Sequence, residues 1–231
     1  LAFKFLSNAD LVMHWGLLKR EIFIGIWIIT GVGMSLYLFG LLRLSKYAVK
    51  EKLSVGRKII ATIVALFTLY LIPGVTNSSY ANLKLISGFP PPLYYSVYEK
   101  ESDCILGLNC TKDYYTGLQM AKQANKPILL DFTGYACVNC RRMEENVWSD
   151  AKVNECLREK FIVISMYVDD KKNLPALEQF DYIMPDGKTK RIKTVGDLWT
   201  TMETINFANN AQPLYVIIDP QERLLAKPVG Y

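Results

Sequence analysis

The sequence is poor in histidine and in cysteine, which limits the metal sites that it can build. It has one histidine and five cysteines among 231 residues. A structural zinc site normally needs four Cys or His ligands. A single Cys-x-x-Cys pair is present, Cys137 and Cys140, and Cys104 and Cys110, which could complete a four-cysteine set, have an unusual spacing for zinc ligands. The composition therefore argues against zinc, and we expect neither a metal nor another cofactor.

Charged residues are missing from two long stretches of the chain. Residues 22–42 and 59–75 are runs of 21 and 17 residues without a charged side chain. As a helix, the first would be about 31 Å long, enough to cross the hydrocarbon core of a bilayer. It is too long, and too closely flanked by charge, for a signal peptide. Two such runs in tandem predict a transmembrane helical hairpin rather than the buried helices of a soluble protein.

Positive charge is concentrated between these stretches. Residues 43–58 hold six Lys or Arg side chains against Glu51 alone, and their net charge of +5 equals that of the whole chain. Short loops rich in Lys and Arg remain in the cytoplasm. Everything after about residue 76 is therefore predicted to face the periplasm or the cell exterior. No aromatic interleaving or fold motif accompanies the basic loop, so nucleic-acid binding is not expected.

The rest of the chain divides into three parts by composition. Residues 1–21 mix polar and apolar side chains, include the only histidine, His14, and predict an interfacial lead-in segment. Residues 76–111 contain three consecutive prolines and predict a semi-rigid linker. Residues 112–231 predict a compact domain. Because the chain starts without Met and stops soon after a predicted strand, we expect a fragment of a longer membrane protein, without the domain's C-terminal helix.

The pattern in the last part predicts an α/β domain with a mixed sheet and helices on both faces. Its helices are expected at 114–125, at 141–147, and from an N-cap at Asp150 to residue 160; its strands are expected at 127–133, 161–168 and 214–219, with a hairpin partner at 224–226. The stretch 170–211 is long for a connection and holds a predicted hairpin at 185–188 and a short helix at 196–205. It is either a partner-recognition insertion or a solvated decoration.

The Cys-x-x-Cys pair lies where an apolar strand is expected to turn into a helix. This placement puts Cys137 at a helix N-terminus, where unpaired N–H groups and the helix dipole favour thiolate over thiol. Cys140 follows one helical turn later. We therefore expect Cys137 to be the attacking thiolate and Cys140 the resolving thiol of a dithiol built for disulfide exchange.

The run from Leu130 to Cys140 resembles the active-site strand and turn of thioredoxin-fold proteins, in which a buried acid stands where Asp131 stands. Gln212-Pro213 before the last long strand resembles their cis-Pro loop. The two apolar stretches, the linker and this domain, with Glu144, Val147 and Ser149-Asp150, more specifically resemble the C-terminal part of the DsbD family, bacterial transmembrane thiol:disulfide interchange proteins. Ordinary thioredoxins have Gly-Pro between the cysteines, where this chain has Val138-Asn139. The resemblance implies an α/β thioredoxin-like fold preceded by a two-helix transmembrane hairpin.

The resemblance also implies site residues, with alternatives open for each. Asp131 would exchange a proton with Cys140, or it is only a polar residue at a strand end. Pro213 would be cis and leave its neighbour free to pair with a substrate segment, or it is a turn proline. Independently of the resemblance, Cys104 and Cys110 precede the domain in a compartment predicted to be oxidising, and we expect them to form either a structural disulfide or a second redox relay. Cys156 is expected to be a buried, inert thiol.

The function implied by the resemblance is protein-disulfide reduction in the bacterial inner membrane. Electrons from cytoplasmic thioredoxin would pass through an upstream transmembrane cysteine pair of the same protein to Cys137 and Cys140. The acceptors would be periplasmic disulfide isomerases and cytochrome c maturation proteins. No cysteine precedes Cys104, so the upstream pair is not in this sequence. Two alternatives remain, a membrane-tethered thiol oxidase or isomerase and a non-enzymatic thioredoxin-like binding module.

Overall fold

The computed structural model describes residues 2–42, 53–98 and 106–231. Its contacts divide the chain into two compact units. Residues 18–99 form one, which we call the two-helix unit, and residues 1–17 with 100–231 form the other, the dithiol unit. Most of the predicted basic loop, residues 43–52, lies outside the described residues, as does Cys104.

The two-helix unit is built on α2 (Arg20–Leu38) and α3 (Val55–Leu71). By length and composition alone, α2 and the segment Val55–Val75 that begins with α3 could each cross a membrane. The helices lie close together at Gly31, where an added Cβ would collide with the hydroxyl of Thr68. Small residues at such a crossing let two helix backbones come close together.

The first apolar helix begins and ends earlier than the uncharged stretch 22–42. Arg20 can join it because its side chain is 1% exposed and donates to the carbonyl oxygens of Ala81 and Pro91. Residues 76–98, predicted as part of a linker, therefore fold against the start of α2 within the same unit. Arg57 donates to two carbonyls of the last turn of α2, at 2.8 and 2.7 Å, and so caps its C-terminus.

The dithiol unit contains a five-stranded sheet in the order β1-β3-β2-β6-β7. The parallel strands are β1, β3 and β2, and β6 and β7 continue the sheet in antiparallel pairing. The bounds of the elements in this unit are α1 (Ala2–Val12), β1 (Cys110–Thr111), α4 (Tyr114–Ala124), β2 (Ile128–Thr133), α5 (Val138–Met143) with a π-helical turn (Glu144–Trp148), α6 (Ala151–Lys160), β3 (Ile162–Tyr167), β4 (Phe180–Ile183), β5 (Thr189–Ile192), α7 (Val195–Phe207), β6 (Leu214–Ile218) and β7 (Val229–Gly230).

Helices cover both faces of this sheet, as predicted. On one face, side chains of α4 and α7 pack against alternate residues of the buried central strand β2, namely Ile128, Leu130 and Phe132. On the other face, Trp148 and Leu157, from the π-helical turn and α6, pack against Leu129. Because β2 is buried on both faces, every residue along it is apolar or must find a polar partner.

The predicted insertion 170–211 is only in part a separate feature. Its helix α7 belongs to the main core, with Trp199, Met202 and Phe207 packed on the sheet. Its hairpin of β4 and β5 forms a separate two-stranded sheet. Gly187, with φ of 82°, supplies the left-handed residue that this turn needs. The interpretation of the whole stretch as an insertion was therefore wrong for α7.

The last hairpin is longer than predicted. Leu224 makes only an isolated bridge to Ile218, and the paired strand is β7, opposite Leu214 and Tyr215. The carboxylate of Asp219 accepts hydrogen bonds from the backbone N–H groups of Gln221 and Arg223, which holds the intervening turn.

Candidate active site

Cys137 and Cys140 form a disulfide at the turn from β2 into α5. Cys137 is the N-cap of α5, and its Sγ accepts a hydrogen bond from the backbone N–H of Cys140 at 3.1 Å. Cys137 is half-buried, whereas Cys140 is 1% exposed. When the pair is reduced, the same N–H would stabilise a thiolate at Cys137. Only Cys137 is therefore placed to meet another protein.

The turn before Cys137 is fixed by Asp169, which follows β3. Its two carboxylate oxygens accept hydrogen bonds from the backbone N–H groups of Tyr135, at 2.8 Å, and Ala136, at 2.9 Å. Gly134 makes this approach possible, because an added Cβ there would lie 3.0 Å from a carboxylate oxygen of Asp169. Asp169 thus sets the path of the backbone into the disulfide.

The ring of Tyr135 packs beside the same turn. It is 6% exposed and stacks on Tyr167, with ring centroids 4.0 Å apart. The ammonium group of Lys112 lies over both rings, 5.9 and 5.4 Å from their centroids. A cation at this distance is attracted by the electron-rich ring faces. The aromatic pair closes one side of the turn that carries Cys137.

Asp131 lies in the middle of β2, on the face that α5 and α6 cover. Its cross-strand neighbours are Ser165 on β3 and Tyr215 on β6. The carboxyl group is 2% exposed and accepts a hydrogen bond from the hydroxyl of Ser165. Burial raises the pKa of Asp131 to about 7, opposed by the charge of Arg141 and by the Ser165 hydrogen bond.

Arg141 and Glu144 complete a buried ion cluster with Asp131. Arg141 is 3% exposed, and its Nη1 lies 2.6 Å from Oε2 of Glu144. Its Nη2 is 3.4 Å from the hydroxyl of Thr133 at the end of β2. Burial raises the pKa of Glu144 to about 8, opposed by Arg141 and assisted by the negative charges of Asp131 and Glu145. All three members of the cluster carry formal charge when ionised, yet none reaches the surface.

The buried ion cluster can hold a proton close to neutral pH. The positive charge of Arg141 stabilises one ionised carboxylate, and that negative charge disfavours ionisation of the second carboxyl. Arg141 directly follows Cys140 in α5, so the cluster lies under the helix that carries the dithiol.

Pro213 precedes β6 and is joined to Gln212 by a cis peptide bond. Because Leu214 pairs with Phe132, this loop lies at the end of β2 that leads to Cys137. The side-chain amide of Gln212 donates to Glu203 Oε2 at 2.8 Å. Glu203 is fully buried in α7, and burial raises its pKa to about 7. Glu203 therefore holds the cis-Pro loop in place through the side chain of Gln212.

The other three cysteines lie away from this turn. Cys110 begins β1 beside Val163 and is disulfide-bonded. Its predicted partner, Cys104, lies outside the described residues, so the pairing of these two cysteines stays a prediction. Cys156 is a free thiol in α6 and is only partly buried. The expectation that it is buried was wrong, because Leu157 rather than Cys156 faces the sheet.

Sequence reasoning missed Asp169, Arg141 and Glu203 as parts of the site. A signal for Asp169 was available, because parallel strands end at the same edge of a sheet and Asp169 comes two residues after β3. Arg141 directly follows Cys140 in the sequence, but no sequence pattern indicates whether its side chain lies in the core or in solvent. Glu203 carries no sequence signal beyond its position on α7.

Comparison with known proteins addresses the domain itself. Residues 109–220 match a family model described as thioredoxin-like. The domain is thioredoxin-like. The predicted fold class is thereby confirmed, and two apolar helices precede the thioredoxin-like domain. A search of curated proteins found no match. A thioredoxin-like domain indicates thiol–disulfide redox function in general terms, and the finer assignment is argued below.

Proposed function

We propose that this chain is the output part of a membrane-bound protein-disulfide reductase of the DsbD type. The observation that carries the proposal is the contrast between the two sulfurs. Cys137 is accessible and caps a helix, whereas Cys140 is 1% exposed above a buried ion cluster. An accessible nucleophile with a shielded partner is the arrangement that disulfide exchange requires.

The exchange proceeds in two substitutions at sulfur. The Cys137 thiolate attacks one sulfur of a protein disulfide, which forms a mixed disulfide and releases the other sulfur as a thiolate. Cys140, after giving up its proton, attacks Sγ of Cys137 and releases the second substrate thiolate. The substrate gains two electrons, and Cys137 and Cys140 are left oxidised, as they are in the structure. Asp131 accepts the Cys140 proton in this scheme.

The electrons are proposed to come from a transmembrane cysteine pair upstream of this sequence, reduced by cytoplasmic thioredoxin. The two apolar helices and the basic loop between them support a site in the bacterial inner membrane with the domain in the periplasm. The proposed acceptors are periplasmic disulfide isomerases and cytochrome c maturation proteins. No protein cofactor besides the disulfide is required.

Capture of mixed disulfides tests the chemistry. Cys140→Ser leaves the attacking thiol without its resolving partner, so it should accumulate mixed disulfides with periplasmic proteins on non-reducing gels. The matched control is the double variant Cys137→Ser/Cys140→Ser, which should capture none. If Cys140→Ser captures no protein either, the domain is a binding module with a silent cysteine pair.

The reduction potential separates a reductase from an oxidase. We expect a value close to that of thioredoxin, about −270 mV, when the full chain is equilibrated with glutathione buffers and alkylated. A value close to that of strong periplasmic oxidants, about −120 mV, would instead identify a membrane-tethered oxidase or isomerase.

A further inference from the structure

The segment that precedes the first apolar helix packs against the dithiol unit. Three residues on one side of α1, Ser7, Asp10 and Leu11, are each 4% exposed or less. They are spaced three and four apart, as residues on one face of a helix are. Residues 1–17 accordingly belong to the same compact unit as the thioredoxin-like domain.

The contacts of this segment reach both sides of the dithiol. The ring of His14 meets Tyr135, two residues before Cys137, edge-on with centroids 4.8 Å apart. Its Nε2 lies 3.4 Å from Oδ1 of Asp170. Lys4, in α1, is close enough to Glu145 for electrostatic attraction. Glu145 comes five residues after Cys140. We call Tyr135, Glu145 and Asp170 the dithiol rim.

His14 lies in a turn whose backbone is held by hydrogen bonds to Asp10. Asp10 is 1% exposed, and its Oδ1 accepts a hydrogen bond from the backbone N–H of Leu17 at 2.9 Å. Its carbonyl accepts another from Trp15 at 3.1 Å. His14 itself has φ of 55°, the left-handed conformation that ends the helix and turns the ring towards the rim.

We propose that residues 2–17 form a docking surface for the dithiol rim. The thioredoxin-like domain is bound to this surface between encounters with its protein substrates. The segment ends three residues before α2 begins, so the docking surface is tethered to the apolar helices. While docked, the domain keeps Cys137 from bulky protein disulfides but leaves it open to a small reagent. The proposed function enters only in the identity of those substrates.

Alkylation with two maleimides of different size tests the proposal. The full chain in lipid nanodiscs is reduced and treated with N-ethylmaleimide or with a maleimide that carries a long polyethylene glycol chain, and peptide mass spectrometry follows Cys137. We compare the alkylation rate of Cys137 with the bulky maleimide to its rate with N-ethylmaleimide. In His14→Ala and in Lys4→Glu, this ratio should rise about threefold or more, as loss of one such contact predicts.

Two controls make the result specific. Lys122→Glu, the same charge reversal at an exposed position of α4, should leave the ratio unchanged. The charge swap Lys4→Glu/Glu145→Lys should return it to the wild-type value. A ratio that does not rise in His14→Ala, or that stays raised in the swap, overturns the proposal; if Lys4→Glu fails to fold, His14→Ala decides alone.

This readout is independent of the proposed function, because alkylation requires neither an electron donor nor a protein substrate. If Cys140→Ser captures no partner while the ratios change as expected, the docking surface stands and the reductase assignment fails. If partners are captured and the ratios do not change, only the docking surface is lost.

Discussion

The buried ion cluster of Asp131, Arg141 and Glu144 lowers the stability of the domain, but it also provides carboxyl groups that can hold a proton. Placing three ionisable side chains in one buried space is unfavourable unless they neutralise one another. Arg141 does so for Glu144 at 2.6 Å, and Asp131 is left with the Ser165 hydroxyl and a raised pKa. The stability of the domain is therefore expected to depend on pH.

The first prediction concerns that pH dependence. The Asp131 carboxyl titrates near 4 when unfolded and near 7 when folded. Between these values the folded chain binds the extra proton, so the free energy of unfolding falls as pH rises, by at most about 1.4 kcal/mol per pH unit for this group. The melting temperature of the oxidised chain in detergent should fall from pH 5 to pH 8, and less so in Asp131→Asn.

Glu144 and Glu203 have raised pKa values as well, so the variant should retain part of the fall. Near-UV circular dichroism reports the melting of the domain. An equal fall in the wild type and in Asp131→Asn would mean that the carboxyl does not hold its proton in the folded chain.

The second prediction concerns the rate of exchange. Asp131→Asn should slow the reduction of a protein disulfide about tenfold or more, because the Cys140 proton loses its acceptor. The loss should be largest near and above pH 7, where the wild-type carboxyl is ionised. Asp186→Asn removes an exposed acid from the turn between β4 and β5 and should leave the stopped-flow rate unchanged. A rate lowered equally at all pH values would point to a structural role for Asp131.

Residues in the site differ in how far sequence could predict them. Asp131 could be identified from the resemblance of the run Leu130 to Cys140 to the active-site strand and turn of thioredoxin-fold proteins. Asp169 and Glu203 act across the fold, on Tyr135 and on Gln212, so their roles depend on a tertiary arrangement that no local pattern contains. His14 is the extreme case, since its contact with Asp170 spans most of the chain.

At the scale of elements, α7 is placed by backbone contact rather than by side-chain packing alone. An added Cβ at Gly196 would lie 2.6 Å from the carbonyl oxygen of Val168 and 2.7 Å from that of Asp170. Thr194 and Asp197 form a capping box around the same turn. The start of α7 is thus fixed against the end of β3, beside Asp169.

The third prediction compares two glycines at helix contacts. Gly196→Ala should destabilise the domain by about 1–3 kcal/mol, because backbone atoms cannot give way. Gly117→Ala in α4 meets side-chain atoms instead, Cγ1 and Cδ1 of Ile164 and Cγ2 of Thr111, which can shift more easily than backbone atoms, and it gains helix propensity of about 1 kcal/mol. Urea unfolding of the oxidised chain should therefore give a lower midpoint for Gly196→Ala than for Gly117→Ala. The reverse order would contradict the close approach at Gly196.

Most elements were predictable because their signals are local. Alternation and apolar runs located β2, β3 and β6, and Asp150 caps α6 as expected, accepting from Lys152 and Val153. Helix ends were less predictable where a distant partner decides them. Arg20 extends α2 into a charged residue only because Ala81 and Pro91 supply carbonyl oxygens.

At the scale of the whole molecule, topology is the property that sequence addresses most directly. Six basic residues in 43–58 against one acid predict that this loop is cytoplasmic. The helices on either side carry no charged residue over 22–38 and 59–71, and only about a fifth of each candidate span is buried within the protein, at 17% and 22%. Such exposure suits a lipid environment.

The fourth prediction tests this topology. In spheroplasts, a membrane-impermeant maleimide should label Cys137 of the reduced chain, and external trypsin should leave the 43–58 loop intact. In inverted membrane vesicles, the loop should be cleaved and Cys137 protected. Labelling of Cys137 only in inverted vesicles would place the domain in the cytoplasm, where a reducing dithiol would have a local source of electrons.

The two backbone hydrogen bonds that Asp169 accepts should be detectable by amide hydrogen exchange in the active-site turn. Amide protons that are held in a hydrogen bond exchange with solvent slowly, whereas those of an open turn exchange quickly. The amides of Tyr135 and Ala136 should therefore remain protonated in deuterated water long after an exposed turn amide such as that of Asp186 has exchanged. Loss of that slow exchange in Asp169→Ala would be a spectroscopic measure of disorder at the approach to Cys137, available without any substrate.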